Sequence, residues 1–199
     1  MIGRKEFSRR RKQLMRMMGS DSIAIIPTAP MRTRNRDVEF PFRPDSDFYY
    51  LTGFAEPEAV AVLVPGRGHG EYLLFCRERD PQMETWTGRR AGTAGAVESW
   101  DADDAFPISD IDDILPGLLE RCDRVFYTMG NDPAFDRRIL EWVNRLRQGG
   151  RSGTRAPDEF RCRGCWTAAA RPVRRRWAVP ALPGARSRVP RAARRESSV

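Results

Sequence analysis

Near Arg161 the chain changes chemical character, and that change limits what can fold. Residues 161–199 hold eleven Arg, eight Ala, four Pro and two Gly, with Glu196 as the sole acid and no Lys. Residues 1–160 carry 24 bases against 26 acids, so the net charge of +8 belongs wholly to the tail. The bulky apolar residues of the tail are few and follow no period of 2 or 3.6. Such a segment buries too little surface to offset its ordering entropy, and it reads as disordered. A strongly basic chain ordinarily invites a nucleic-acid reading, yet here the part able to fold is slightly acidic. Eleven arginines would give only a salt-sensitive, sequence-independent affinity for nucleic acid, through the tail.

The remainder is long enough for one well-buried domain of about 150 residues. We therefore divide the chain into a domain at 1–150, the start of a linker at 151–160 and the tail at 161–199. The basic N-terminus lacks the apolar run of a signal peptide, and no window approaches the 18 apolar residues of a membrane span. No membrane partner is expected, and the cytoplasm is the expected compartment. Cys76 lies in a strand-like run and Cys122 follows a helix-like one, which suits buried free thiols. Cys162 and Cys165 form a CxxC, but the tail offers no third or fourth zinc ligand. The one His, His69, sits in a glycine-rich turn.

Apolar spacing predicts a helix from about Arg4 to Met18, with Phe7, Leu14, Met15 and Met18 on its apolar side and Gly19 as terminator. Lys5 and Arg9 to Lys12 are expected on its solvated face. Ser22–Pro27 suits a buried strand, and Phe48–Leu51 resumes strand character. Ala59–Val64 and Glu71–Cys76 read as two strands of a hairpin, joined across Pro65 to Gly70. Asp80 to Phe106 reads as a loop-rich stretch. Ser109 opens a helix as S-x-x-D, with Ile111, Ile114, Leu115, Leu118 and Leu119 inward and Pro116 as a kink. Arg124–Met129 is a further strand. Asp132-Pro133 caps a last helix that presents Phe135, Ile139, Val143 and Leu146, and Gly149-Gly150 stop it. The order predicts an α/β fold, a mixed β-sheet flanked by helices.

Most catalytic signatures are missing: no GxSxG elbow, no GxxxxGK[ST] loop and no HExxH. Asp101, Asp103 and Asp104 suit a solvated turn better than a hard-cation site, and Asp110, Asp112 and Asp113 suit a helix N-terminus. Two stretches are less bland. Arg36–Phe54 interleaves Phe40, Phe42, Phe48, Tyr49 and Tyr50 with six charged residues; it is either an interface or site wall, or a loop stapled to the sheet. Arg77–Gly92 sets Trp86 beside Arg89 and Arg90, a composition of interface anchors and equally of a Trp covering the core edge.

The same stretches carry a resemblance. F-x-R-R-R (Phe7 to Arg11), D-x-E-F-P-F-R (Asp37–Arg43), S-D-F-Y-Y-L-T-G-F-x-E-P-E-A-V (Ser46–Val60) and E-x-W-x-G-R-R-x-G (Glu84–Gly92) run in the order of one family. The chain resembles the N-terminal domain of aminopeptidase P, in the creatinase/prolidase family of Xaa-Pro aminopeptidases. The resemblance implies a mixed sheet of ribonuclease H-like arrangement that serves oligomerisation and shapes an active-site mouth. It also implies a second, catalytic domain in which two manganese ions activate a hydroxide against the bond before a penultimate proline.

Beyond Phe160 the chain does not continue as that family would, and no manganese ligand is assigned to it. Arg, Ala, Pro and Gly all have GC-rich codons, so their dominance in the tail matches a GC-rich gene read out of frame, with a natural extension as the alternative. The resemblance makes Asp37, Arg43, Trp86, Arg89 and Arg90 substrate-proximal or interface candidates, Tyr49 and Tyr50 join them as interface candidates, and none of the seven is a catalyst. The expected partners are a second copy or a full-length homologue, with peptide substrate only in the complete enzyme. The competing reading is a stand-alone, non-catalytic interaction domain.

Overall fold

The computed structural model describes residues 2–120, 122–148, 157 and 159–161. Gly149-Gly150, Cys162, Cys165 and the rest of the basic tail lie outside the described residues.

Continuous apolar runs make strands that are buried on both faces. Such runs supply β1 (Ser22–Pro27), β4 (Val60–Leu63), β5 (Tyr72–Cys76) and β7 (Arg124–Tyr127), and one six-stranded sheet is completed by β6 (Asp104–Pro107), half-buried throughout, and β8 (Glu159–Arg161). Their order is β6-β5-β4-β1-β7-β8. β4 runs antiparallel to β1 and β5, whereas β1 with β7, β5 with β6 and β7 with β8 are parallel. β8 falls at the end of the stretch read as the start of a linker. A separate two-stranded hairpin, β2 (Thr33–Asn35) with β3 (Val38–Glu39), follows β1 in the chain, with every strand residue exposed.

The pleat sorts the strand residues between two cores. Ile23, Ile25, Val60, Val62, Leu73, Phe75 and Val125 face helices α5 (Ile111–Leu119) and α6 (Pro133–Gln148). Ala24, Ile26, Ala61, Leu63, Leu74 and Phe126 face α1 (Arg4–Met18), α2 (Ser46–Thr52) and α4 (Gly92–Trp100). The expected architecture, a mixed sheet between helical layers, is therefore what the chain forms. The bounds of α1 and β1 coincide with the residues predicted, and the β4–β5 hairpin turns where expected, closed by Val64 N–H to Glu71 C=O at 2.8 Å. Asp132 caps α6 as predicted, its Oδ1 accepting from the Ala134 and Phe135 N–H groups at 3.0 and 3.2 Å. Cys76 and Cys122 are free and buried, one in each core, and burial pushes both thiols up to about 11.

Four expectations are corrected. Phe48–Leu51 is helix, because Asp45 Oδ1 takes the Asp47 and Phe48 N–H groups and Phe48, Leu51 and Thr52 then bury one face. Asp80 to Phe106 contains α3 (Pro81–Thr87), α4 and β6; Asp80 Oδ1 caps α3 at 3.0 and 3.2 Å with Pro81 at its first position. Ser109 makes no capping box; its Oγ donates to Asp110 Oδ1, and a 3-10 turn, Ile108–Asp110, precedes α5. Arg11 is not on a solvated face: it is 3% exposed. Asp101 and Asp103 are exposed, as expected of a solvated turn, and Asp103 and Asp104 also brace the fold. Asp103 Oδ2 accepts from the N–H groups of Glu71 and Tyr72 at the start of β5, and Asp104 Oδ2 takes Arg67 Nη1 at 2.7 Å.

Candidate functional site

The seven candidates occupy three places. The first is the outer corner between α1 and α2. A seven-residue helix leaves its last carbonyls without intrahelical donors, and α1 supplies them. Arg10 Nη1 donates to the Tyr50 carbonyl and Arg11 Nη1 to the Leu51 carbonyl, both at 3.0 Å. Trp100 Nε1 adds a bond to the Gly53 carbonyl at 3.3 Å. Positive charge at this end also complements the helix dipole. The Arg10 guanidinium lies 4.0 Å from the Tyr50 ring centroid, and Phe7 meets Tyr49 edge-on at 6.2 Å. Hydrogen bonds from Arg9 and Arg10 hold the Glu6 carboxyl down at about 2. Arg11, 4.0 Å from the Tyr72 ring centroid, has its pKa lowered by burial, while burial raises the Tyr72 phenol. Tyr49 and Tyr50 remain 43% and 49% exposed. The F-x-R-R-R and S-D-F-Y-Y-L-T-G motifs are thus two halves of one cap, with the two tyrosines forming its outer surface.

The second place is the β2–β3 hairpin. Asp37 sits at its tip beside Arg36, whose φ is 41°. The Phe40 N–H closes the base on the Arg32 carbonyl at 2.9 Å. Arg43 is exposed and lines, with Arg32, Phe40 and Phe42, a cavity of about 190 Å³.

The third is an arm running from Arg77 to Ala91 and carrying α3. Trp86 is 85% exposed and Met83 44%, so the Trp does not cover the core edge. Within the arm Glu84 is the hub: it accepts from Arg79 Nε at 3.3 Å and from the Arg90 N–H at 3.3 Å. Those bonds, Arg79 first, hold the Glu84 carboxyl below its ordinary range. Arg89 is exposed, while Arg90 is half-buried with Nη1 3.5 Å from the Glu78 carbonyl. At the root, Glu56 Oε1 accepts the Ala91 N–H at 2.7 Å. Sequence reasoning missed Arg11, Glu56 and Glu84; each lies inside a quoted motif, which was the available signal.

These groups offer charge, rings and hydrogen-bond donors, the means to hold a ligand rather than to transform one. Among the described residues no three His, Cys, Asp or Glu side chains gather where they could hold a metal ion. Asp103 and Asp112 are committed to N–H donors instead. The described residues therefore do not fit a manganese pair. Among them no helix is long and apolar enough to cross a membrane.

Comparison with known proteins gives a consistent result. The family "Aminopeptidase P, N-terminal domain" matches residues 7–127. The Xaa-Pro aminopeptidase of Escherichia coli (strain K12) is 41% identical over 157 residues, covering 78% of this chain and 36% of that protein. The solved structure of Pseudomonas aeruginosa aminopeptidase PepP superimposes with a TM-score of 0.80 at 59% identity, over 83% of this chain and 37% of that one. The low-pH form of E. coli aminopeptidase P gives 0.78 at 39% identity, over 84% and 38%. The chain thus spans little more than a third of the length of these relatives.

Proposed function

The chain belongs to the aminopeptidase P N-terminal domain family, and on that premise we propose that it acts as the N-terminal part of an Xaa-Pro aminopeptidase in the cytoplasm. The parent reaction releases the first residue of a peptide whose second residue is proline. In this reading the manganese-dependent step belongs to the remaining length of such an enzyme. This domain supplies the wall of the active-site mouth and a surface for self-association. Trp86 carries the reading: a ring 85% exposed on an internally braced arm is a costly feature unless something packs on it. Asp37, Arg43, Tyr49, Tyr50, Arg89 and Arg90 are the polar and aromatic surroundings of that contact. The chain alone is expected to release no residue from an Xaa-Pro peptide in the presence of manganese. Release of the N-terminal residue by the purified chain, measured by chromatography, would contradict this.

The same exposed Trp favours one second reading, a stand-alone interaction domain that pairs with itself or with a complete aminopeptidase. Light scattering on the eluting chain separates the two roles of the surface. Self-association that Trp86→Ala reduces about tenfold or more, as for a buried aromatic anchor, supports the contact. A strict monomer in both proteins counts against it.

A further inference from the structure

The arm leaves the sheet at the end of β5 and returns at the start of α4, and one carboxylate faces both roots. Glu56 lies between α2 and β4. Its Oε1 accepts the Ala91 N–H of the returning root at 2.7 Å, and its Oε2 lies 4.0 Å from Arg77 Nη2 of the outgoing root. Both side chains are largely buried, at 20% and 17% exposure. Glu56 Oε2 and Arg77 Nε have no hydrogen-bond partner among the described residues. The pair is therefore held by charge across the root, and among the described residues the Ala91 N–H is the one close donor to Glu56. The roots also press together: a Cβ on Gly92, at φ 67°, would meet Arg79 Cγ at 2.5 Å. Beyond the root, α3 is too short to be stable alone, and its described residues other than Glu84 are exposed.

The geometry points to Glu56 as the positioning residue of the Trp86 arm, a clamp that closes the loop 77–91 at its base. An excursion of this length has many conformations, and fixing its ends removes most of them. Glu84 stiffens the arm internally, and Glu56 ties it to the rest of the fold by a short hydrogen bond of a charged group. It follows that Glu56, far along the chain from Trp86 and without touching any ligand, sets where Trp86 points. The inference rests on the reading of Trp86 as a contact residue for its importance, though the clamp itself is measured separately.

Trypsin, applied to the whole chain under native conditions, reads the clamp directly. It cleaves after Arg89 and Arg90 in the arm and after Arg36 at the hairpin tip, which serves as an internal reference. Glu56→Ala is expected to raise arm cleavage relative to Arg36 about tenfold, since cleavage follows the open population and one charge-assisted hydrogen bond is lost. Glu56→Gln keeps an acceptor for Ala91 but not the charge facing Arg77, and should fall between wild type and Glu56→Ala. An unchanged ratio in both variants overturns the proposal. So does a rise at all sites together with a lowered Tm, which would make Glu56 a general stabiliser. Light scattering of Trp86→Ala tests the contact reading independently: unchanged association with an altered cleavage ratio removes that reading and leaves the clamp.

Discussion

Trp142→Ala is expected to cost the domain about 4 kcal/mol, the scale of truncating a large buried aromatic. Trp142 is 1% exposed among the residues that join α5 and α6 to the sheet. It meets Phe135 edge-on at 5.9 Å, and its Nε1 donates to Asp112 Oδ1 at 2.9 Å. The alanine variant opens a cavity and removes the hydrogen bond together. Trp142→Phe keeps most of the volume and should cost about 1–2 kcal/mol, the loss of a hydrogen bond to a charged acceptor. Asp112 is 52% exposed at its side chain and keeps Arg138 Nη2 at 2.9 Å, so it is not stranded. Urea unfolding distinguishes the two through the midpoint at unchanged slope. Equal losses for Ala and Phe would mean that packing around α6 is not what holds it.

Trp142 also marks the limit of what the sequence made legible. Phe135, Ile139, Val143 and Leu146 announced the buried stripe of α6, and all four are buried. Trp142 lies three residues after Ile139 on the same face, but a stripe read narrowly passes it over. Strong periodicity gave α1, β1, β4, β5, β7 and α6, because in these segments the local pattern and the burial agree. It failed where the two conflict. Aromatic and β-prone Phe48-Tyr49-Tyr50 is helical because Asp45 caps it and α1 covers it, and strand preference mainly reports such surroundings. α3 buries almost nothing, so it leaves no apolar period to read. Arg11 looked solvated because nothing local reveals that the Leu51 carbonyl and the Tyr72 ring wait opposite it.

The candidate site was legible as motifs but not as geometry. Composition left Trp86 open between a core-edge cover and an exposed anchor, and only its position on an otherwise exposed helix separates them. Glu56 was inside a quoted motif, yet its role depends on Ala91, 35 residues away. Contacts at that separation carry no sequence period.

Gly53→Ala tests whether the motifs around the α1–α2 corner belong to the fold. Gly53 ends α2 in the left-handed region, at φ 69° and ψ 2°, and a Cβ there would lie 2.6 Å from Phe7 Cε2. The first feature costs about 1 kcal/mol in any L-residue, and overpacking a fitted contact adds about 1–3 kcal/mol. The expected loss is therefore about 3 kcal/mol. Phe7 cannot yield freely, because its ring abuts Tyr49 and lies 5.5 Å from the Arg10 guanidinium. Pushing it outward also lifts Arg10 and Arg11 from the Tyr50 and Leu51 carbonyls that they cap. The two contributions separate in a double-mutant cycle. In a Phe7→Ala background the methyl group meets no ring, so the cost of Gly53→Ala should fall to about 1 kcal/mol, the conformational part alone. An undiminished cost there would place the strain in the backbone of α2 and leave Phe7 without a part in holding the corner. A large coupling would assign Phe7 and Gly53 to the joint on which Tyr49 and Tyr50 are mounted, leaving recognition to the exposed rings themselves.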